Sequence, residues 1–184
     1  MNKLKYVLQF PILFAAQILY RHTEYKHLID EDMNKINECS KRKRSLMRLL
    51  SDDTYFRCLF YFRLGNKGKV LNYFLPKNPL LMISPLTDIK GGVYYAHPFA
   101  TIINAKSIGR NFSFRQCTTI GNKIDGRNDL IPSIGDNVTL GANVCIIGDI
   151  YIGNNVTIGA GCVVVKDVPN NSVVVGNPMR IIKK

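Results

Sequence analysis

From Ile134 to Gly159 the chain reads IGDNVT-LGANVC-IIGDIY-IGNNVT-IG. An aliphatic residue returns at every sixth position, at Ile134, Leu140, Ile146, Ile152 and Ile158, and the series runs on to Val164. Four places after each comes a second apolar residue: Val138, Val144, Ile150, Val156, Cys162 and Val168. Glycine directly follows the first position at Gly135, Gly141, Gly153 and Gly159. A period of six is neither the 3.6-residue repeat of a helix nor the alternation of a single strand. It fits a strand of two or three residues followed by a turn, with one side chain per hexad pointing inward and Gly or Asn at the turn. Stacked, such units predict a parallel β-helix with one continuous core. Antiparallel hairpins would show alternation at irregular spacing instead.

Upstream the register passes through Ile120, Phe114, Ile108 and Ile102, with Gly109 and Gly121 in place. Between Ile120 and Ile134 it is interrupted. Lys123 to Pro132 contains Gly126, Asn128, Asp125 and Asp129, so residues 122–133 read as a loop extruded from the repeat. The fold class is therefore mainly β, a β-helix over residues 80–184, preceded by a short helical region over 1–79. Within that region Lys3–Tyr20, Glu24–Ser51 and Thr54–Tyr73 read as helices, closed by Pro76 and Pro79.

The 184 residues are 46% hydrophobic and carry a net charge of +12, enough apolar content for a core and too much for a disordered chain. Of the 25 Lys and Arg, 16 fall in the first hundred residues, among them the run Lys41-Arg42-Lys43-Arg44. Such an excess suggests an anionic partner. No nucleic-acid-binding signature accompanies it, and nucleic acid is not an expected partner. The basic run is either a solvated helix face or, with the aromatic segment from Tyr55 to Tyr73, a contact for an anionic membrane surface. The longest apolar stretch, Tyr6 to Tyr20, is broken by Gln9, Pro11 and Gln17 and falls short of a membrane span. Five scattered cysteines without CxxC spacing argue against a disulfide framework and against a metal site, which fits a reducing cytoplasm.

The run from Ile134-Gly135 through Ile158-Gly159-Ala160-Gly161, ending in Lys166-Asp167-Val168-Pro169 and Val175-Gly176-Asn177-Pro178, resembles the hexapeptide-repeat acyltransferases. The segments Gly91-Gly92 to His97 and Ser113 to Gly121 resemble serine acetyltransferases in particular. Phe60-Tyr61-Phe62-Arg63-Leu64-Gly65 looks like a stretch of the related proteins that accompany surface-polysaccharide assembly. The resemblance implies a left-handed β-helix, a homotrimer, and acetyl-CoA as co-substrate with no metal. Transfer of acetyl from a thioester to a hydroxyl needs a base, and histidine suits neutral pH. Among His22, His27 and His97, only His97 lies in the repeat region, and it matches the family's catalytic position. The resemblance places the cofactor against Gly121, Gly141, Ala142, Gly159 and Ala160, with Lys166, Arg180, Lys183 and Lys184 as candidates for its phosphates. The Gly-Ala pairs are equally what the turns require. Nucleophilic catalysis by Cys117, Cys145 or Cys162 is the weaker scheme.

Three positions depart from the serine enzymes. Met82 stands where they orient the histidine with a carboxylate, Ala96 where they hold an Asp, and Ile131 where they carry a second histidine. Serine offers an ammonium and a carboxylate, and a site for it should supply partners for both. A sugar hydroxyl is the expected acceptor, met by Tyr95, Asn104, Gln116 and Asp129. Serine O-acetylation is the alternative, and a non-catalytic β-helix scaffold a third reading.

Overall fold

The computed structural model describes residues 3–183. They form two compact units, the first extending to Pro79 and the second beginning at Leu80.

The first unit has five helices: α1 (Lys3–His22), α2 (Lys26–Ser40), α3 (Leu46–Asp52), α4 (Thr54–Leu64) and α5 (Asn66–Phe74). Two of the three expected helices are therefore broken. The first break follows Ser40, where Lys41 adopts a left-handed conformation (φ 52°) and its N–H closes on the carbonyls of Asn37 and Glu38. The Asn37 side chain then brackets the backbone of Arg44, donating to its carbonyl at 3.0 Å and accepting from its N–H at 3.1 Å. The basic run thus crosses a loop, and Ser45 starts a new helix by accepting from the N–H of Arg48. The second break is Gly65 at φ 59°, ψ −126°, a region open only to glycine. Just beyond it, α5 crosses α4 so closely that a Cβ on Gly68 would lie 2.4 Å from the carbonyl oxygen of Tyr61.

Three aromatic residues of α4, Phe56, Phe60 and Tyr61, are core. Phe56 and Phe60 are buried with ring centroids 6.1 Å apart, beside buried Leu49, Leu50 and Leu59. This corrects the expectation that the segment from Tyr55 onward lies on a membrane; its well-exposed apolar residues, Val70, Tyr73 and Phe74, are confined to α5. Two buried guanidinium groups knit the unit together. Arg57 donates to the carbonyls of Leu50, Ser51 and Pro76, and burial lowers its pKa. Arg63 pairs with Asp32 of α2, Nε to Oδ2 at 3.1 Å, both side chains almost wholly removed from solvent. The Phe60–Gly65 stretch thus has a packing explanation: two core aromatic residues, a buried ion-pair partner and a helix-breaking glycine.

The second unit is a parallel β-helix of about five coils. The first coil holds β1 (Leu81–Ile83), β2 (Asp88–Ile89) and β3 (Tyr94–Ala96), and the second β4 (Thr101–Ile103), β5 (Ser107–Ile108) and β6 (Ser113–Arg115). The third holds β7 (Thr119–Gly121), β8 (Ser133–Ile134) and β9 (Thr139–Leu140), and the fourth β10 (Cys145–Ile147), β11 (Tyr151–Ile152) and β12 (Thr157–Ile158). β13 (Val163–Val164) and β14 (Ser172–Val175) belong to the last, and β15 (Arg180–Lys183) turns back antiparallel on β14. Three sheets result: face A is β1-β4-β7-β10-β13, face B β2-β5-β8-β11, and face C β3-β6-β9-β12-β14-β15.

Each face sends one column inward. Face A contributes Ile103, Ile120, Ile146 and Val164, and face B Ile89, Ile108, Ile134 and Ile152. Face C contributes Tyr95, Phe114, Leu140, Ile158 and Val174. At about 1.5–3 kcal/mol for each fully buried aliphatic side chain, these columns are the dominant stabilising term. The hexad register expected upstream is off by one at Ile102, which is 46% exposed while Ile103 points inward.

The corner from face B to face C is an asparagine ladder. Asn111, Asn137, Asn155 and Asn171 all have φ between 55° and 58°, a conformation asparagine tolerates. The amides of Asn111, Asn137 and Asn155 each donate to the next oxygen along the axis, at 2.9, 3.0 and 2.9 Å. Beside it, Asp136, Asn154 and Asn170 accept at 2.7 Å from the backbone N–H of Arg110, Asp136 and Asn154.

Candidate active site

The corner from face C to face A departs from regularity in one coil. Ala96 pairs with Arg115, but a few residues on Ile102 pairs with Thr119. The first separation is nineteen residues and the second seventeen, so the upper coil holds two residues more. They are His97 and Pro98, because the N–H of Cys117 already bonds to Phe99 O in the manner that Asn143 N–H bonds to Gln116 O and Gly161 N–H to Ala142 O. The insertion is a tight turn: Phe99 N–H donates to His97 O at 2.6 Å across Pro98. His97 itself sits at φ 52° and is exposed. A bulge of this kind re-aims a side chain out of the wall of the coil.

Along the same edge below His97 stand Gln116, then Gly141 and Ala142, then Gly159 and Ala160. Gln116 keeps its Oε1 buried without a hydrogen-bond partner. The small residues leave the backbone of this edge open. For Gly141 the reason lies inside the fold: a Cβ there would come 2.5 Å from the N of Ala160 in the next coil. A Cβ on Gly159 would meet Val174 O at 3.2 Å. Close stacking of the coils thus accounts for both glycines, and neither adopts the positive φ that a turn role would require.

The other expected residues lie elsewhere. Tyr95 points into the core with its ring 6.3 Å from that of Phe114, so it is a packing residue and not an acceptor contact; Tyr94 takes the outer face. Asn104 and Asp129 sit at the corner from face A to face B. Asn104 donates to Asn128 at 3.2 Å, and Asp129 forms a two-point pair with Arg127 at 2.8 and 2.7 Å. That guanidinium holds the Asp129 carboxyl down at about 2. Gly121 ends β7 at this second corner, where a Cβ would meet nothing within 4 Å, and exposed Lys166 follows β13 there. Arg180 lies on β15, opposite Val175 on face C, so Lys166 and Arg180 do not converge. Lys184 lies outside the described residues. One residue escaped the sequence reading: Arg115, exposed and level with Ala96, places a cation one residue from the His97 edge. Its alternation with core Phe114 was the available signal.

Within the described residues no side chain hydrogen-bonds the imidazole of His97. The three apolar replacements stay apolar in place: Met82 is 59% exposed on β1, Ala96 half-buried and Ile131 buried. Cys162 is buried on the inner side of its turn, and burial raises its pKa; Cys117 adopts φ 57° beside Gln116. Among the described residues no group of three His, Cys, Asp or Glu could hold a metal ion.

Within the β-helix, residues 132–166 match the six-repeat bacterial transferase hexapeptide model. The chain's relatives are acetyltransferases. It is 44% identical over 101 residues to serine acetyltransferase 1, chloroplastic, of Arabidopsis thaliana, covering 54% of this chain and 32% of that protein. It is 49% identical over 86 residues to the putative colanic acid biosynthesis acetyltransferase WcaB of Escherichia coli K12, covering 46% of this chain and 52% of that one. The chain thus spans about a third to a half of the length of these relatives. Among solved structures, serine acetyltransferase of Neisseria gonorrhoeae superposes with a TM-score of 0.74 at 26% identity, over 88% of this chain and 67% of the other.

Proposed function

We propose that this protein is an acetyl-CoA-dependent O-acetyltransferase that acetylates a sugar hydroxyl, with His97 as general base. The observation that carries the reading is the two-residue insertion that lifts His97 from an otherwise regular edge, above Gln116 and a column of small residues. The thioester arm of acetyl-CoA would lie along Gly141-Ala142 and Gly159-Ala160, and backbone N–H groups of the edge would stabilise the tetrahedral oxyanion. His97 would take the acceptor proton as oxygen attacks the carbonyl, then return it to the departing CoA thiolate. Gln116, next along the edge from His97, would meet the acceptor.

A sugar is favoured over serine because Met82, Ala96 and Ile131 offer no partner to an ammonium or a carboxylate. Likeness to WcaB supports the same acceptor class. The comparably strong likeness to serine acetyltransferases keeps serine as the second reading. Asn104 and Asp129 lie across face A from His97, so a second copy is needed to gather the set. Face A supplies the surface: Met82, Ile102, Ile147 and Val163 on its outward side are apolar, with Thr119 of β7 among them. A homotrimer on the cytoplasmic side, where acetyl-CoA is found, completes the proposal.

The test is CoA-thiol release from acetyl-CoA with L-serine and a panel of sugars and nucleotide sugars. Release with sugars and a loss of about a hundredfold or more in His97→Ala are expected. Release with serine alone would replace the sugar reading with the second one. Unchanged turnover in His97→Ala would sink the base assignment.

A further inference from the structure

Acetyl transfer makes no use of the outer side of α1. From Tyr6 to Tyr20 this helix carries no charged residue. Its inner side is held in place: Leu13 and Ala16 are buried, Lys5 Nζ donates to Ser51 O at 2.9 Å, and Gln9 accepts from the Ser51 hydroxyl at 3.0 Å. On its outer side Val7, Leu8, Phe10, Phe14 and Ile18 are between 44% and 73% exposed, with the rings of Phe10 and Phe14 stacked at 6.3 Å. Positions 7, 10, 14 and 18 share one helical face, an apolar stripe of about 16 Å by the rise per residue. Single exposed apolar residues need no explanation, but a contiguous stripe marks an interaction surface.

Tyr6, half-buried on the flank of the helix with its hydroxyl on Met47 Sδ at 3.8 Å, also lines an open cleft of about 980 Å³ with Arg42, Lys43, Arg44 and Arg48. The two acids in its wall are engaged, Asp52 with Arg48 at 2.5 Å and Asp53 as the cap of α4. Arg42, Lys43 and Arg44 have no ion-pair partner among the described residues. Arg44 Nε is buried without an acceptor, although Nη2 reaches Ser40.

We propose that the α1 stripe and the Arg42–Arg44 cleft together form a docking surface for an anionic phospholipid bilayer. The apolar side chains enter the acyl boundary while the cleft takes a headgroup phosphate. A second copy of the chain would cover the stripe but would bring two cationic clefts toward each other. A free phosphate would fill the cleft and leave the stripe in water. Only an anionic bilayer meets both. No described helix is long and apolar enough to cross a membrane, which suits a helix lying in the interface. This proposal rests on the helical unit alone and is independent of the acceptor.

The experiment is co-sedimentation of the full chain with vesicles of phosphatidylcholine, alone or with about a third phosphatidylglycerol. Binding to the anionic vesicles only is expected, weakened by salt. Arg42→Gln with Lys43→Gln should weaken it roughly thirtyfold, about fivefold per charge. Phe14→Ser, at an exposed position, should weaken it about tenfold or more with unchanged circular dichroism. CoA release on a soluble acceptor, followed in parallel, should be the same in both variants. Binding that ignores lipid charge or both sets of substitutions overturns the proposal. So does thermal stabilisation by inorganic phosphate without vesicle binding, which would make the cleft a soluble-anion site. A change of oligomeric state in Phe14→Ser, with vesicle affinity kept, would assign the stripe to self-association.

Discussion

Replacing Asp32 by Leu should cost the helical unit much of its stability. Its carboxylate is 1% exposed and meets the 3% exposed side chain of Arg63 through Nε at 3.1 Å and Nη2 at 3.4 Å. Removing one partner of a buried pair strands the other charge, typically at about 3–5 kcal/mol, against a total of about 5–15 kcal/mol for a domain. Asp32→Asn keeps one acceptor for the guanidinium and should lose about 1 kcal/mol less. Arg63→Met combined with Asp32→Leu should return to within about 1 kcal/mol of the parent, because both desolvation costs disappear together. Urea unfolding followed at 222 nm reports mainly on the five helices. A loss below about 1 kcal/mol in Asp32→Leu, or a double variant no better than the single, would show that the pair does not work as argued.

Two further outcomes follow from the same packing. Asn137→Ala removes two rungs of the ladder and leaves the Cβ at φ 56° without the amide bonds that compensated it, and calorimetry should show a loss of about 2–3 kcal/mol; Asn137→Gly should lose about 1 kcal/mol less. Burial pushes the Cys58 thiol up to about 11 and the Tyr61 phenol up to about 12, from 9.0 and 10.0. Both groups keep their protons longer when folded, so their contribution is intact below pH 9 and declines as pH rises through 9 to 12. Alkaline melts should show that decline, shallower in Cys58→Ala, and Cys58 should resist thiol reagents at pH 8 in the folded protein.

The β-helix was legible because its repeat is enforced in every coil: an inward position that drifts loses its column, so Ile134, Leu140, Ile146 and their successors cannot vary freely. The first coils were harder to read. The corner after β4 is one residue short of a hexad, five residues separating inward Ile103 from inward Ile108, and no local preference signals a register change that only cross-coil pairing defines. Tyr95 was misjudged for a related reason, since adjacent tyrosines look alike until the pleat assigns one inside and one outside. In the helical unit, long apolar periodicity survived both breaks. They were set by a left-handed Lys41 held by Asn37 and by Gly65, single-residue features that composition hides. The exposed stripe of α1 was invisible for another reason: apolar residues bound for a core and those left outside look the same in a sequence.

The asparagine ladder has a consequence for how such a protein can change. Rungs at Asn111, Asn137, Asn155 and Asn171 lock one corner of the solenoid, so that every coil must return there in step. The other two corners are under no such obligation. One has taken in two residues at His97-Pro98 and the other the long excursion between Gly121 and Ser133, and in both cases pairing resumes and the coils below keep their stacking. The molecule is divided into a spine that resists revision and two margins where length is negotiable. New acceptor chemistry can be tried at the margins by insertion, one coil at a time, without refolding the rest.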